Sequence, residues 1–271
     1  MSLYLFPPGD DPGPSFADLL RRVHPHSGSS AAPASSVGDV RHATTIAALR
    51  YSGGVVMAGD RRATEGVSIA HRSIEKVFPA DRFSAVAIAG AAGPAIEMVR
   101  LFQTQLEHYE KVEGTVLSLE GKANQLAQMV RAHLPMAMQG LAVVPLFAGW
   151  DSLRGTGRIF TYDVTGGRYE ETDFHATGSG GRDAKTTIKI GYREAMSRDE
   201  AVELALEALF QAADEDAATG GPDPVRGIFP IVATVESSGF SRVADEDVAE
   251  RFASFLDRRR DAVRGAGGDP T

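Results

Sequence analysis

The sequence predicts an α+β fold built from two antiparallel β-sheets with helices layered outside them. Three observations lead there. Short apolar runs of period two follow one another with turn residues between them, the pattern of hairpins. The elements come in blocks of strands, two helices, strands, two helices, strand and helix, whereas a parallel sheet would alternate strand with helix. Hydrophobic residues make up 43% of the 271 positions, enough for a sizeable core.

The elements follow from residue 44 onward. Residues 44–50 and 54–59 are apolar, and Tyr-Ser-Gly separates them as a hairpin turn. A third strand fits 82–89. Gly-Ala-Ala-Gly-Pro then leads into a helix from Pro94 to about Lys111, with a stripe of Ile96, Val99, Phe102, Leu106 and Tyr109. A second helix fits 119–139 on Leu126, Met129, Val130 and Leu134, and Pro135 should kink or end it. Strand patterns return at 141–148, 158–163 and 169–176. Gly178–Gly181 opens a helix to about Glu194, and Ser197 with Glu200 forms a capping box for the next, through Leu204, Leu206, Leu209 and Phe210. A late strand at 228–235 and an amphipathic helix at 247–260 complete the domain, expected as 44–260, with 261–271 as a flexible tail.

Residues 1–43 are of another kind. They hold six of the 14 prolines, and 27–36 is almost entirely Ser, Gly, Ala and Pro. Such a tract has little apolar surface to offset the entropy of ordering it. Its one apolar island is Phe16, Leu19, Leu20 and Val23, on a short turn that Ser15 can cap. The reading is a mostly flexible leader with one docking turn.

Composition narrows the function classes. Net charge is −8 with no long basic tract, which disfavours nucleic acid. The absence of cysteine excludes disulfides, thiolate-bound zinc and cysteine nucleophiles. The seven histidines show no metal spacing, and phosphate-loop and Gly-x-Ser-x-Gly motifs are missing. No apolar run approaches the ~20 residues of a membrane helix, and the N-terminus does not read as a secretory signal. No cofactor, metal, membrane or nucleic acid is expected, and the location expected is cytoplasmic.

Several polar residues sit awkwardly in so apolar a chain. Asp60 directly follows a strand and either starts a turn or anchors a cation there. Lys76 lies among Ile74, Val77 and Phe78; it is either a surface lysine or an inward one, which is costly unless paired. Asp60 is an available mate. Asp214, Glu215 and Asp216 crowd a helix end that disfavours acids. Thr44 and Thr45 open the first strong strand. If the Ala43–Thr44 bond is cut, the new α-amine lies beside the Thr44 hydroxyl. An α-amine has a reference pKa of ~7.7–8.0, so a useful fraction is neutral at pH 7 and can act as a base. A nearby Lys76 ammonium lowers the pKa of that amine, and a buried Asp60 holds the lysine.

With these residues in view, the chain resembles the proteasome β subunits of the actinobacterial kind. The matching stretches are Thr-Thr-Ile-Ala-Ala-Leu (44–49), Gly-Gly-Val-Val-Met-Ala-Gly-Asp-Arg-Arg-Ala-Thr (53–64), Glu-Lys-Val (75–77), Ala-Ile-Ala-Gly (87–90), Ala-Thr-Gly-Ser-Gly (176–180), the acidic helix end into Thr-Gly-Gly (214–221), and Gly-Pro-Asp-Pro-Val-Arg-Gly-Ile-Phe-Pro (221–230). The likeness implies a four-layer αββα sandwich, the N-terminal nucleophile hydrolase fold. It implies a threonine endopeptidase with Thr44 as nucleophile, Asp60 and Lys76 as its support, and Ser179, Asp216 and Thr219 ordering the proton network. It places the oxyanion hole at the Gly90 N–H, structural support at Arg62, and the substrate pocket at Ala63, Thr64, Ile74, Ile88 and Ala92. Residues 1–43 would be a self-removed propeptide. Homo-heptameric β rings would stack face to face, capped by α-subunit rings, with a ring-shaped ATPase passing on unfolded or tagged proteins. Three positions depart from the family pattern: Ala43 where glycine is usual, Thr219 for serine, and Gly181 for a serine. Two other readings are an inactive ring subunit, and a six-fold bacterial threonine protease or other N-terminal nucleophile amidase.

Overall fold

In the computed structural model, residues 44–66 and 68–266 are described. The expected propeptide, its Phe16–Val23 turn and the last five positions of the tail lie outside them. The first sheet has strand order β10-β1-β2-β11-β12, with β1 Thr45–Tyr51, β2 Gly54–Gly59, β10 Phe174–Gly178, β11 Ile231–Glu236 and β12 Gly239–Arg242. The second runs β5-β6-β7-β8-β9, with β5 Val77–Asp81, β6 Ser84–Gly90, β7 Val143–Asp151, β8 Thr156–Tyr162 and β9 Arg168–Glu171. Every pairing in both is antiparallel.

Strand alternation builds the layers. In β1, Ile46 and Ala48 point into the core between the sheets, where they meet Ala85, Ala87 and Ala89 of β6. Their neighbours Ala47 and Leu49 point outward to helices α4 (Gly181–Gly191) and α5 (Arg198–Glu215). On the far side, Val86 and Ile88 of β6 face α1 (Ala92–Glu113) and α2 (Leu119–Ala132). β1 and β6 are thus apolar on both faces, which is why the sequence shows dense apolar runs there rather than clean alternation. The result is the expected sandwich of helices, sheet, sheet and helices.

Local signals set several boundaries. Gly114, left-handed at φ 69°, caps α1. Ser118 caps α2 by accepting from the Gly121 N–H. The Ser197–Glu200 capping box opens α5 with both reciprocal hydrogen bonds. Near Pro135 the second helix stops at Ala132, followed by the short α3 (Leu134–Ala137). The last helix, α6 (Asp245–Ala266), runs six residues past the expected end at 260.

One expectation needs correction. The apolar run 169–176 is two strands in different sheets, β9 and β10. The chain crosses between them at Thr172 and Asp173, whose carbonyls accept from Arg50. A small exposed hairpin, β3 (Ala63–Glu65) with β4 (Ser68–His71), also went unforeseen. Lys76 immediately precedes β5.

Candidate active site

The hairpin β1–β2 places Asp60 just beyond a strand end and directly beside Thr45. The Asp60 N–H donates to the Thr45 carbonyl at 3.1 Å, and the Thr45 N–H donates to Asp60 Oδ1 at 2.8 Å. Lys76 Nζ reaches the same oxygen at 2.6 Å. On the other oxygen, Oδ2, the Arg62 and Gly220 N–H groups donate at 2.9 and 2.8 Å. Asp60 is fully buried, and these four donors replace the water it has lost. It is an anchor, not an exposed turn residue.

Lys76 is 3% exposed, which excludes the surface reading. Its ammonium also donates to the Arg62 carbonyl at 2.5 Å. Burial pushes its pKa below the usual lysine range, and the Asp60 charge opposes that shift. Arg62 holds the arrangement together: its carbonyl takes Lys76, its N–H takes Asp60, and its guanidinium donates to the Ala217 carbonyl at 2.8 Å.

Thr44 lines a small, partly open pocket. All five residues expected there, Ala63, Thr64, Ile74, Ile88 and Ala92, line it, together with Lys76 and Gly90. Sequence reasoning missed Glu75, Ala95 and Ile96. The signal for the last two was available, because the first turn of a helix that follows Gly90 directly must share its surroundings. Glu75 is paired with Arg242 at 2.5 Å. Gly90 has φ 111°, and a Cβ there would run into the Ala142 carbonyl, so only glycine fits.

A second polar group closes the other side of β1. The Ser179 N–H donates to the Thr44 carbonyl at 2.8 Å. The Ser179 hydroxyl donates to the same carbonyl at 3.5 Å, while Asp216 caps the end of α5 and accepts from Thr219 Oγ1 at 2.6 Å and from the Ala218 N–H at 3.1 Å. Burial raises its pKa, but these donors outweigh burial and hold it below the usual carboxylate range. Its position at a helix end is explained by these donors. Sequence reasoning missed Thr45, whose hydroxyl lies 2.6 Å from that of Thr219 and accepts from the Gly180 N–H at 3.0 Å. Its only sequence signal was the doubled threonine. The structure therefore brings Thr44, Asp60, Arg62, Lys76, Ser179, Asp216 and Thr219 into one continuous polar system around the start of β1. Among the described residues, no group of three or more acidic or histidine side chains is placed to hold a metal, and no helix is long and apolar enough to cross a membrane.

Comparison with known proteins identifies the family. The family model described as proteasome subunit matches residues 40–225. The chain is similar to a proteasome subunit beta of Acidimicrobium ferrooxidans, 61% identical over 267 residues that cover 98% of this chain and 96% of that one. It is also similar to a proteasome subunit beta of Streptomyces griseus, 54% identical over 254 residues, 93% of this chain and 90% of that one.

Proposed function

Because the chain belongs to the proteasome subunit family, we propose that it is a catalytic β subunit of a proteasome core, acting as a threonine endopeptidase on unfolded or tagged proteins in the cytoplasm. Cleavage of the Ala43–Thr44 bond frees the α-amine of Thr44. The Thr44 hydroxyl then attacks the substrate carbonyl carbon while its proton passes to that amine, directly or through a water. The Gly90 N–H receives the oxyanion. The C–N bond breaks, the proton passes from the amine to the leaving nitrogen, and an ester on Thr44 remains. Water hydrolyses the ester and restores the hydroxyl.

Lys76 keeps positive charge beside the amine and Asp60 fixes Lys76, while Ser179, Asp216 and Thr219 order the amine's surroundings. The observation that carries this reading is the buried Lys76–Asp60 pair, 2.6 Å apart, beside a pocket that Thr44 itself lines. A buried ion pair is weak support for stability alone, and its place here gives it a chemical use. Assembly as seven-membered β rings between α rings, with an ATPase feeding substrate, belongs to the same proposal.

Thr44→Ala tests it. The substitution removes a hydroxyl and a methyl at the edge of the core. It is expected to abolish both leader removal and peptide hydrolysis in particles that still assemble. Hydrolysis that persists in Thr44→Ala particles would refute the role of Thr44, and wild-type particles that assemble without hydrolysing peptides would favour a silent ring subunit.

A further inference from the structure

The two polar groups flanking the nucleophile are joined by one residue. Thr45 engages Asp60 through its backbone N–H and carbonyl. Through its side chain it engages Thr219, 174 positions away in sequence. Both hydroxyls are fully buried and out of reach of bulk water. Each hydroxyl has one proton, and that fixes the direction of the chain. Asp216 is an acceptor, so Thr219 spends its proton there at 2.6 Å. Thr219 can then only accept from Thr45, and Thr45 accepts from the Gly180 N–H at 3.0 Å. Gly180 fits the arrangement closely: a Cβ on it would lie 2.8 Å from each of the two hydroxyl oxygens.

We propose that Thr45 is a positioning residue for the reaction: its hydroxyl, held by the Gly180 N–H, donates to Thr219 and so locks the Thr219 hydroxyl onto Asp216, keeping Asp216 in register with the start of β1 and Thr44. The inference rests on the threonine peptidase reading above. It predicts that a hydroxyl at 45 is required even where the shape of the side chain is kept. Without it, Thr219 is free to turn, Asp216 loses part of the hydrogen bonding that stabilises its charged form, and the Gly180 N–H is left without its acceptor.

The test compares Thr45→Val, which keeps the shape and removes the hydroxyl, with Thr45→Ser, which keeps the hydroxyl. Assembled, processed particles are assayed on a short fluorogenic peptide from pH 4 to 9. Thr45→Val should lose kcat roughly tenfold, the scale of one buried hydrogen bond broken with a donor left unpaired, while KM holds within about twofold. The acid limb of its kcat profile should move to higher pH, because a carboxylate with weaker donors takes up its proton sooner. Thr45→Ser should stay within about threefold of wild type with an unmoved limb. A Thr45→Val particle with wild-type kcat and acid limb would overturn the proposal. So would a Thr45→Ser particle as impaired as Thr45→Val, since the methyl packing would then be what matters. If Thr45→Val does not assemble, Thr219→Val breaks the same chain from its other end and must move the limb in the same direction; an unmoved limb overturns the proposal. Inactive wild-type particles would remove the peptidase reading and this inference together, whereas active wild type with an indifferent Thr45→Val removes this inference alone.

Discussion

Asp60→Asn isolates what the buried pair does, because it keeps the volume of the side chain and removes only its charge and one acceptor. In the native protein both carboxylate oxygens are doubly occupied, Oδ1 by Thr45 and Lys76 and Oδ2 by Arg62 and Gly220. An amide has one oxygen, so in either orientation its NH2 faces two donors. Removing one partner of a buried ion pair costs about 3–5 kcal/mol, a figure that includes the stranded charge. For a domain of this size each kcal/mol lowers Tm by roughly 2–4 °C, so the variant should melt about 6–20 °C lower. Turnover should fall roughly 10²–10³-fold, the scale seen when one preorganised charge at a reacting centre is lost. Thermal melting and initial rates on a fluorogenic peptide give both numbers from one preparation. A companion, Asp60→Asn with Lys76→Met, removes the stranded charge and should recover part of the lost stability while remaining inactive. A single variant that melts within about 2 °C of wild type and retains its kcat would show that the buried pair supports neither the fold nor the reaction.

Three further outcomes are expected. The pocket wall of Ala63, Ile74, Ile88 and Ala92 offers no partner for a charge, and the charged groups at its edge, Glu75 and Lys76, are already paired with Arg242 and Asp60; peptides with Leu or Tyr before the scissile bond should have a higher kcat/KM than those with Arg or Glu, and the reverse order would overturn the pocket assignment. Ser197→Ala breaks the capping box of α5 far from the chemistry and should cost about 1 kcal/mol, read as a Tm lower by roughly 2–4 °C with kcat unchanged. Because burial depresses the pKa of Lys76, the unfolded chain binds that proton more tightly, so stability should rise with pH in the window below the ordinary lysine value of 10.5; Lys76→Met should flatten this part of the stability profile, and an unchanged slope would contradict the burial argument.

The sequence made the layered architecture legible because buried strands and capped helices carry local signals, as the Ser197–Glu200 box and the Tyr-Ser-Gly turn do. It could not show which sheet a strand joins. The run 169–176 reads as one element, since alternation is the same whichever partner a strand has, and only long-range pairing separates β9 from β10. The β3–β4 hairpin escaped because its strands, of three and four residues, are largely exposed and carry no apolar period. At the site, Asp60 and Lys76 were each ambiguous alone, and their partnership emerged only by joining them to Thr44. Thr45 was hidden for a different reason. A threonine inside an apolar strand looks like an ordinary β-branched residue, and its partner Thr219 is brought near only by folding.

In the proposed reaction Thr44 becomes an N-terminus and then acts through its own hydroxyl. Intact mass spectrometry of assembled, active particles, before and after reaction with an electrophilic β-lactone, tests it most directly. Removal of the first 43 of the 271 residues leaves 228. The expected result is a chain of that length beginning at Thr44, and one added lactone per inactivated subunit, carried as an ester on the Thr44 hydroxyl. Full activity from a chain that retains its leader, a mature N-terminus at another residue, or an adduct elsewhere would contradict it.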